Sequence, residues 1–248
     1  MKPEAELERA GRELRAAGSA ERARSEKAYL KSDLRFYGTP MPAIRRIAAA
    51  YAKAHPDLDR RELRALAEAA WKQDRYELRS FSVALLDRRR ALLEERDLPW
   101  LLDLVDGSKT WAHVDWLAVN VIGDVVWRYP ASLRWLPRWA TQQNFWIRRT
   151  ALLTQHNTLK HGEGDWELFT DLAAGMLHEK EFFIRKAIGW VLREVSKKRP
   201  KLVYEFIRAH RDEMSGLTLR EGAKYLPDAQ RKTLRLEPWR DREGKPYR

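Results

Sequence analysis

The chain has 248 residues, no Cys, 11 Trp and a formal net charge of +12. Its length suits one large domain or two small ones, and a hydrophobic share of 44% is ordinary for a buried core. Without Cys there is no disulfide framework and no thiolate metal site, which suits a reducing cytoplasm, and no apolar run approaches the roughly 20 residues of a membrane span. The opening MKPEAELERAGRELR is charged throughout, unlike a signal or transit peptide. The excess of base points to a polyanion, nucleic acid first, although many arginine-rich bacterial proteins share it.

Helical periodicity runs the length of the chain and strand alternation is nearly absent. Apolar stripes pass in turn through Leu63 to Ala70 and Phe81 to Leu86. Val114, Ala118, Val121, Ile122 and Val125 then recur at the spacing of one α-helical face. Further stripes cover Ile147 to Leu153, Phe183 to Val191 and Leu202 to Ile207. Breaks fall at HPDLD, RDLPW, RYP, HGEGDW and KRP, where Pro, Gly and Asp supply stops and N-caps. These signals predict an all-α domain over residues 1–236, with a loose tail, EPWRDREGKPYR, over 237–248.

Four helix starts overlay: ELRSFSVALLDR, HVDWLAVNVIGD, WIRRTALLTQHN and FIRKAIGWVLRE. An apolar residue (Leu78, Val114, Ile147, Ile184) precedes one slot, filled by Arg79, Asp115, Arg148 and Arg185 at intervals of 36, 33 and 37 residues. A period of that size, with two helices per unit, predicts a single-domain α-solenoid of HEAT-like repeats. Chance overlay of amphipathic helices is the competing account, since the likeness within each unit is weak. In a solenoid the second helices line a concave face, and a row of Arg there would track a phosphate backbone.

Asp115 breaks that row, and a carboxylate beside phosphates weakens binding unless it has another task. Trp111 lies at i−4, so the two side chains share a helix face at the border of the apolar stripe. An indole beside a carboxylate makes a pocket that favours a cation, and Trp190 in the equivalent helix two repeats later could add a wall. Equally, Trp111 and Trp190 are core residues and Asp115 pairs with an Arg. His113 is expected at a helix start rather than as a base. His156 and His161 have poor metal-ligand spacing and are expected on the surface. Glu94, Glu95 and Asp97 read as solvated loop charge. No nucleotide-binding motif is present, so neither a metal nor a cofactor is expected.

These residues carry a resemblance. KAYLKSDLRFYG (27–38), W-A-H-V-D (111–115), WIRRTALL (146–153), EFFIRKAIGWVLRE (181–194) and LTLREGAKYL (217–226) resemble the DNA alkylation repair family, the AlkD-type alkylpurine DNA glycosylases built from HEAT-like repeats. The likeness runs from about residue 5 to 227. It implies a monofunctional glycosylase that removes cationic N3- or N7-alkylated purines from duplex DNA, as a cytoplasmic monomer. It places the catalytic aspartate on Asp115 and its partner tryptophans on Trp111 and Trp190. DNA contact falls on Tyr29 and Arg149; with the neighbouring register the expected DNA-binding set is Tyr29, Arg148, Arg149, Arg185 and Lys186. Two positions depart from the family pattern, Pro40 within the Gly38 to Pro42 turn and Asn157 in place of a backbone-contacting Lys, and both bear on DNA placement. A catalytically inactive paralog that binds DNA structures, or a protein or RNA partner, is the alternative.

Overall fold

A computed structural model describes residues 2–237, so the expected loose tail lies outside the described residues apart from Glu237. The described residues form helices, with one isolated parallel bridge between Arg35 and Arg75. Contacts group them into two compact units, one ending at Tyr129 and the other beginning at Pro130.

In the first unit the order is α1 (Pro3–Ala16), α2 (Ala20–Leu30), α3 (Met41–Ala54), α4 (Arg60–Trp71), α5 (Tyr76–Arg88), α6 (Leu98–Asp106), α7 (Trp111–Trp116) and α8 (Gly123–Arg128). The helix starts follow from side-chain chemistry. Ser19 caps α2, Asp59 and Glu62 form a reciprocal capping box on α4, and Thr110 caps α7. Helix α5 is the hub, packing on α1, α3, α4 and α7. It is buried from Tyr76 through Leu86, polar residues included.

Between α7 and α8 the chain passes through a π turn, Leu117–Ile122. The sequence stripe is right about which residues face inward, since Val114, Ala118, Val121, Ile122 and Val125 are all fully buried. It misses the wider turn, which also buries Leu117 and Val119. Such turns recur at functional sites because they re-aim the side chains around them.

The second unit contains α9 (Leu136–Trp139), α10 (Phe145–Leu153), α11 (His156–His161), α12 (Trp166–Gly175), α13 (Phe182–Ser196), α14 (Pro200–Ala209), α15 (Gly216–Gly222) and α16 (Asp228–Thr233). Asn144, Asp165 and Ser215 cap α10, α12 and α15. Here α13 is the hub, in contact with α10, α11, α14 and α15. Its approach to α15 needs Gly189, where an added Cβ would lie 2.6 Å from Cβ of Glu221. No described helix is long and apolar enough to cross a membrane.

One charged position departs from the sequence expectation, and a second is buried where no expectation had been set. Asp97 is buried, not solvated: it pairs with Arg60 at 3.1 Å and accepts the N–H of Glu94 at 2.8 Å, closing the turn before α6. Glu77, in the first turn of α5, is fully buried. Its Oε1 accepts three backbone N–H groups, from Tyr37 at 2.9 Å, Gly38 at 2.7 Å and Thr39 at 3.3 Å. That loop packs so tightly that a Cβ on Gly38 would sit 2.1 Å from the carbonyl oxygen of Ser19. Burial pushes the Glu77 carboxyl pKa up, and the three donors oppose it.

Glu77→Ala removes the acceptor for three buried donors, each worth about 1–3 kcal/mol when left unpaired. The expected loss is therefore about 3 kcal/mol or more in urea unfolding, with new proteolysis at residues 37–39. A loss below about 1 kcal/mol would mean that the loop finds other partners.

Candidate functional site

The arginines of the repeated slot share a contact that the sequence did not suggest. Arg79 donates Nε to the carbonyl of Gln73 at 3.1 Å, and Arg148 donates Nη1 to the carbonyl of Gln142 at 2.7 Å. Arg185 donates Nε to the carbonyl of Glu179 at 2.7 Å. Each acceptor lies six residues before its arginine, in the turn leading into the helix. Two of the three reach onward as well. Arg79 donates to the carbonyl of Gly107 at 3.2 Å, before α7. Arg148 forms a two-pronged pair with Glu179, at 2.9 and 2.7 Å, before α13.

The slot's arginines therefore close their turns, and Arg79 and Arg148 also tie theirs to the next helix pair. A planar guanidinium suits this because it carries five donors in a fixed fork. For Arg79, buried and engaged with three carbonyls, the phosphate-tracking reading gives way to this one. Arg149 is 3% exposed, donates to the carbonyl of Phe183 and lies over the Phe183 ring. Arg148 and Arg185 are half-buried, as is Lys186, which pairs with Glu221 at 2.6 Å. Among the five expected DNA-binding residues, Tyr29 stands out as 71% exposed.

Asp115 occupies the slot in α7, half-buried, one helical turn beyond Trp111 and immediately ahead of the π turn. Trp111 begins the helix and is itself half-buried. Its indole packs on an apolar cluster of Leu30, Leu34 and Tyr76, together with Phe36 and Ala112. Tyr29 meets it edge-on, with ring centroids 5.7 Å apart. The N-terminal segment is held there by backbone pairing: Arg35 donates to Asp74 and Tyr76 donates to Arg35. One side of the indole is thus core, while its margin carries an exposed phenol. An aromatic face beside a carboxylate attracts cations.

His113 belongs to the core behind this site. It is fully buried, contacts Ser80 Oγ through Nε2 at 2.9 Å and stacks on Tyr76. Burial pushes its pKa down to about 3, and the charge of Arg79 adds to the shift. It is neutral at ordinary pH and braces Tyr76, on which Trp111 rests.

In the second unit, Trp190 is half-buried on α13 and meets His156 with ring centroids 4.5 Å apart. His156 is buried, contrary to its expected surface position; it lies on the apolar stripe of α10 continued by three residues past Leu153, a signal the sequence does contain. Asn157 lies beside it, 3.3 Å from its Nδ1. No group of three potential metal ligands occurs among the described residues. Sequence reasoning misses Glu77 and Glu179, because an acid near a helix start gives no sign that it will be buried, as Glu77 is, or paired across a turn, as Glu179 is.

Fold and site define a class: all-helical repeat proteins in which one repeat trades a turn-closing arginine for a carboxylate beside an indole. The family model described as "DNA alkylation repair enzyme" matches residues 10–226, and the chain belongs to that family. No curated protein matches it. A solved structure titled "Predicted DNA alkylation repair enzyme from Enterococcus faecalis" is 26% identical and has a TM-score of 0.76, covering 85% of this chain and 97% of that one. Two Streptococcus mutans structures share the fold at 19% identity and a TM-score of 0.58. One is smu.31, covering 84% of this chain and 98% of its own; the other is AlkD2, covering 75% and 90%.

Arg148→Ala should lower unfolding free energy by about 2 kcal/mol, because it strands a half-buried carboxylate and two carbonyls. A double-mutant cycle with Glu179→Gln should show coupling, whereas additive effects would reduce the pair to surface decoration. His113 stays neutral in the folded state but charges in the unfolded chain below about pH 6.5. Its stabilising contribution is therefore full above that pH and lost as pH falls, by up to about 1.4 kcal/mol per unit. His113→Gln should show a shallower fall between about pH 6.5 and 5 than the parent in urea unfolding.

Proposed function

We propose that this protein is a monofunctional DNA glycosylase that removes cationic N3- or N7-alkylated purines from duplex DNA by hydrolysis of the N-glycosidic bond. The observation that carries the reading is the half-buried Trp111–Asp115 pair, one helical turn apart, at the margin of an aromatic cluster. A ring-alkylated purine is a good leaving group. Its departure builds positive charge on the sugar, as in glycoside hydrolysis. The Asp115 carboxylate would stabilise that charge and orient or deprotonate the attacking water. Trp111 would offer a π face to the cationic nucleoside, and the family resemblance gives Trp190 the same role. Neither a covalent intermediate nor a cofactor is required, because the leaving group is already activated.

DNA contact is assigned first to Tyr29, whose ring is exposed beside Trp111, and then to Arg185 and Lys186, which keep partial exposure. Contact through Arg148 or Arg149 would engage a guanidinium that already holds protein acceptors.

Asp115→Asn keeps the shape and removes the charge. Release of free methylated purine from methylated duplex DNA should fall by about a hundredfold, the usual scale for losing one preorganised electrostatic group. Binding to undamaged duplex should hold or tighten, since a repulsion from the backbone is gone. An Asn variant as fast as the parent would remove Asp115 from the reaction. A parent that binds methylated duplex and releases no base would make the protein a binding member of the family.

A further inference from the structure

The indole of Trp190 lies against a titratable ring. Helix α13 is fixed against α15 at Gly189, where no side chain fits, so the backbone beside Trp190 has little freedom. The orientation of the indole then depends on what lies against it. Within the second unit one such contact is the imidazole of His156 on α11, at 4.5 Å between ring centroids and tilted by 53°. His156 is 5% exposed. Its Nδ1 lies near Asn157, and its Nε2 has no protein partner among the described residues.

A neutral imidazole against an indole leaves the quadrupole of the larger ring available to another cation. An imidazolium in the same place would occupy that quadrupole and repel a second positive charge. It would also be a buried charge without a direct acid partner, a state that drives a side chain out of its pocket. The charged groups facing His156 are Glu194 and Arg193 from α13 and Lys160 from its own helix. Burial pushes its pKa below the ordinary imidazole range, and Lys160 and Arg193 add to that, against Asn157 and Glu194. Glu194 is itself engaged by Lys197 at 2.7 Å and by Arg193 at 3.4 Å, so its charge is shared.

We propose that His156 is a positioning residue: its neutral ring braces the indole of Trp190 and keeps that π face available to a cationic nucleoside, and protonation withdraws the brace. The cation is the one named in the proposed function, and on that point the inference rests on it. Loss of the brace sets an acid limit to excision that belongs to His156.

The test has two arms on the full chain. The first is a pH titration by ¹H–¹⁵N NMR from about pH 7.5 to 4.5, spanning the ordinary imidazole range. His156 signals are assigned by their loss in His156→Gln, and the Trp190 indole N–H by its loss in Trp190→Phe. The indole signal should move together with the His156 titration, below about pH 6.5. A Trp190 signal that stays still while His156 titrates would overturn the proposal, whatever the enzyme activity.

The second arm measures release of 7-methylguanine from methylated duplex DNA across the same pH range. The comparison is with His156→Phe, which keeps a ring and cannot be protonated. The parent should slow in acid by about tenfold more than the variant, the effect of about 1.4 kcal/mol of lost cation attraction. A variant that keeps the parent's acid limb would overturn the proposal. A parent that releases no base would count against the glycosylase reading alone, with the NMR arm still deciding the brace. Urea unfolding of each variant separates a repositioned indole from a damaged fold.

Discussion

Loops that turn between stacked helices leave carbonyl groups pointing inward, and the interior of a helical ladder has no spare donors to give them. Arg79, Arg148 and Arg185 supply those donors from one repeated position, each reaching back six residues into its own turn. The remaining donors of Arg79 and Arg148 reach the turn before the next helix pair. One side chain thus fixes both the entry angle of its helix and the spacing to the next. Glu77 applies the same logic with opposite polarity, collecting three backbone N–H groups from the loop at residues 37–39. The polar groups buried in these hubs work on the loops that join the helices.

Asp115 takes on meaning against that background. A carboxylate has no donor, so it cannot hold a carbonyl as the slot's arginines do. The turn before α7 is closed by other groups, with Arg79 on Gly107 and the Thr110 hydroxyl accepting the N–H of Ala112. The acid sits half-buried and next to a wide π turn, in a slot whose turn is closed by other groups. Its indole neighbour is supported from behind by Tyr76, which the neutral His113 braces in turn. A buried imidazole with its pKa near 3 keeps that support free of charge. In the second unit, His156 beneath Trp190 repeats the device with a different pair of rings.

Helix periodicity makes the fold legible, because each stripe needs only local spacing to declare its buried face. The breaks are legible for a similar reason, since Asp59, Asp165 and the glycine of HGEGDW act on their own backbone. The Trp111–Asp115 pair can be read from an i−4 spacing and an odd residue in a row of arginines. What the row does is not legible. An arginine that binds phosphate and one that binds a loop carbonyl have the same spacing, and the choice depends on a turn whose path the sequence does not state. Poor metal-ligand spacing with His161 leaves His156 to be expected at the surface. Helical spacing past Leu153 carries the buried stripe on to His156, where the indole of Trp190, distant in sequence, meets it. Asp97 misleads in the same way, since its partner Arg60 lies on another helix.

The net charge of +12 divides between groups that face solvent and groups that do not. Arg79 and Arg149 point inward, so they add to the total without adding to a contact surface. Their charge still reaches solvent as field, because a protein interior screens less than water does. Attraction of a polyanion can thus come from the whole charge distribution, while the groups near the proposed site need not grip phosphate at all. Under the glycosylase reading that division has a consequence for selectivity. A general positive field draws in damaged and undamaged duplex alike. The Asp115 carboxylate repels every phosphate equally but attracts only a nucleoside that carries positive charge. Discrimination would then rest on the sign of one local charge set against a field of the opposite sign, and it would act most strongly at the transition state, where the sugar charge is greatest.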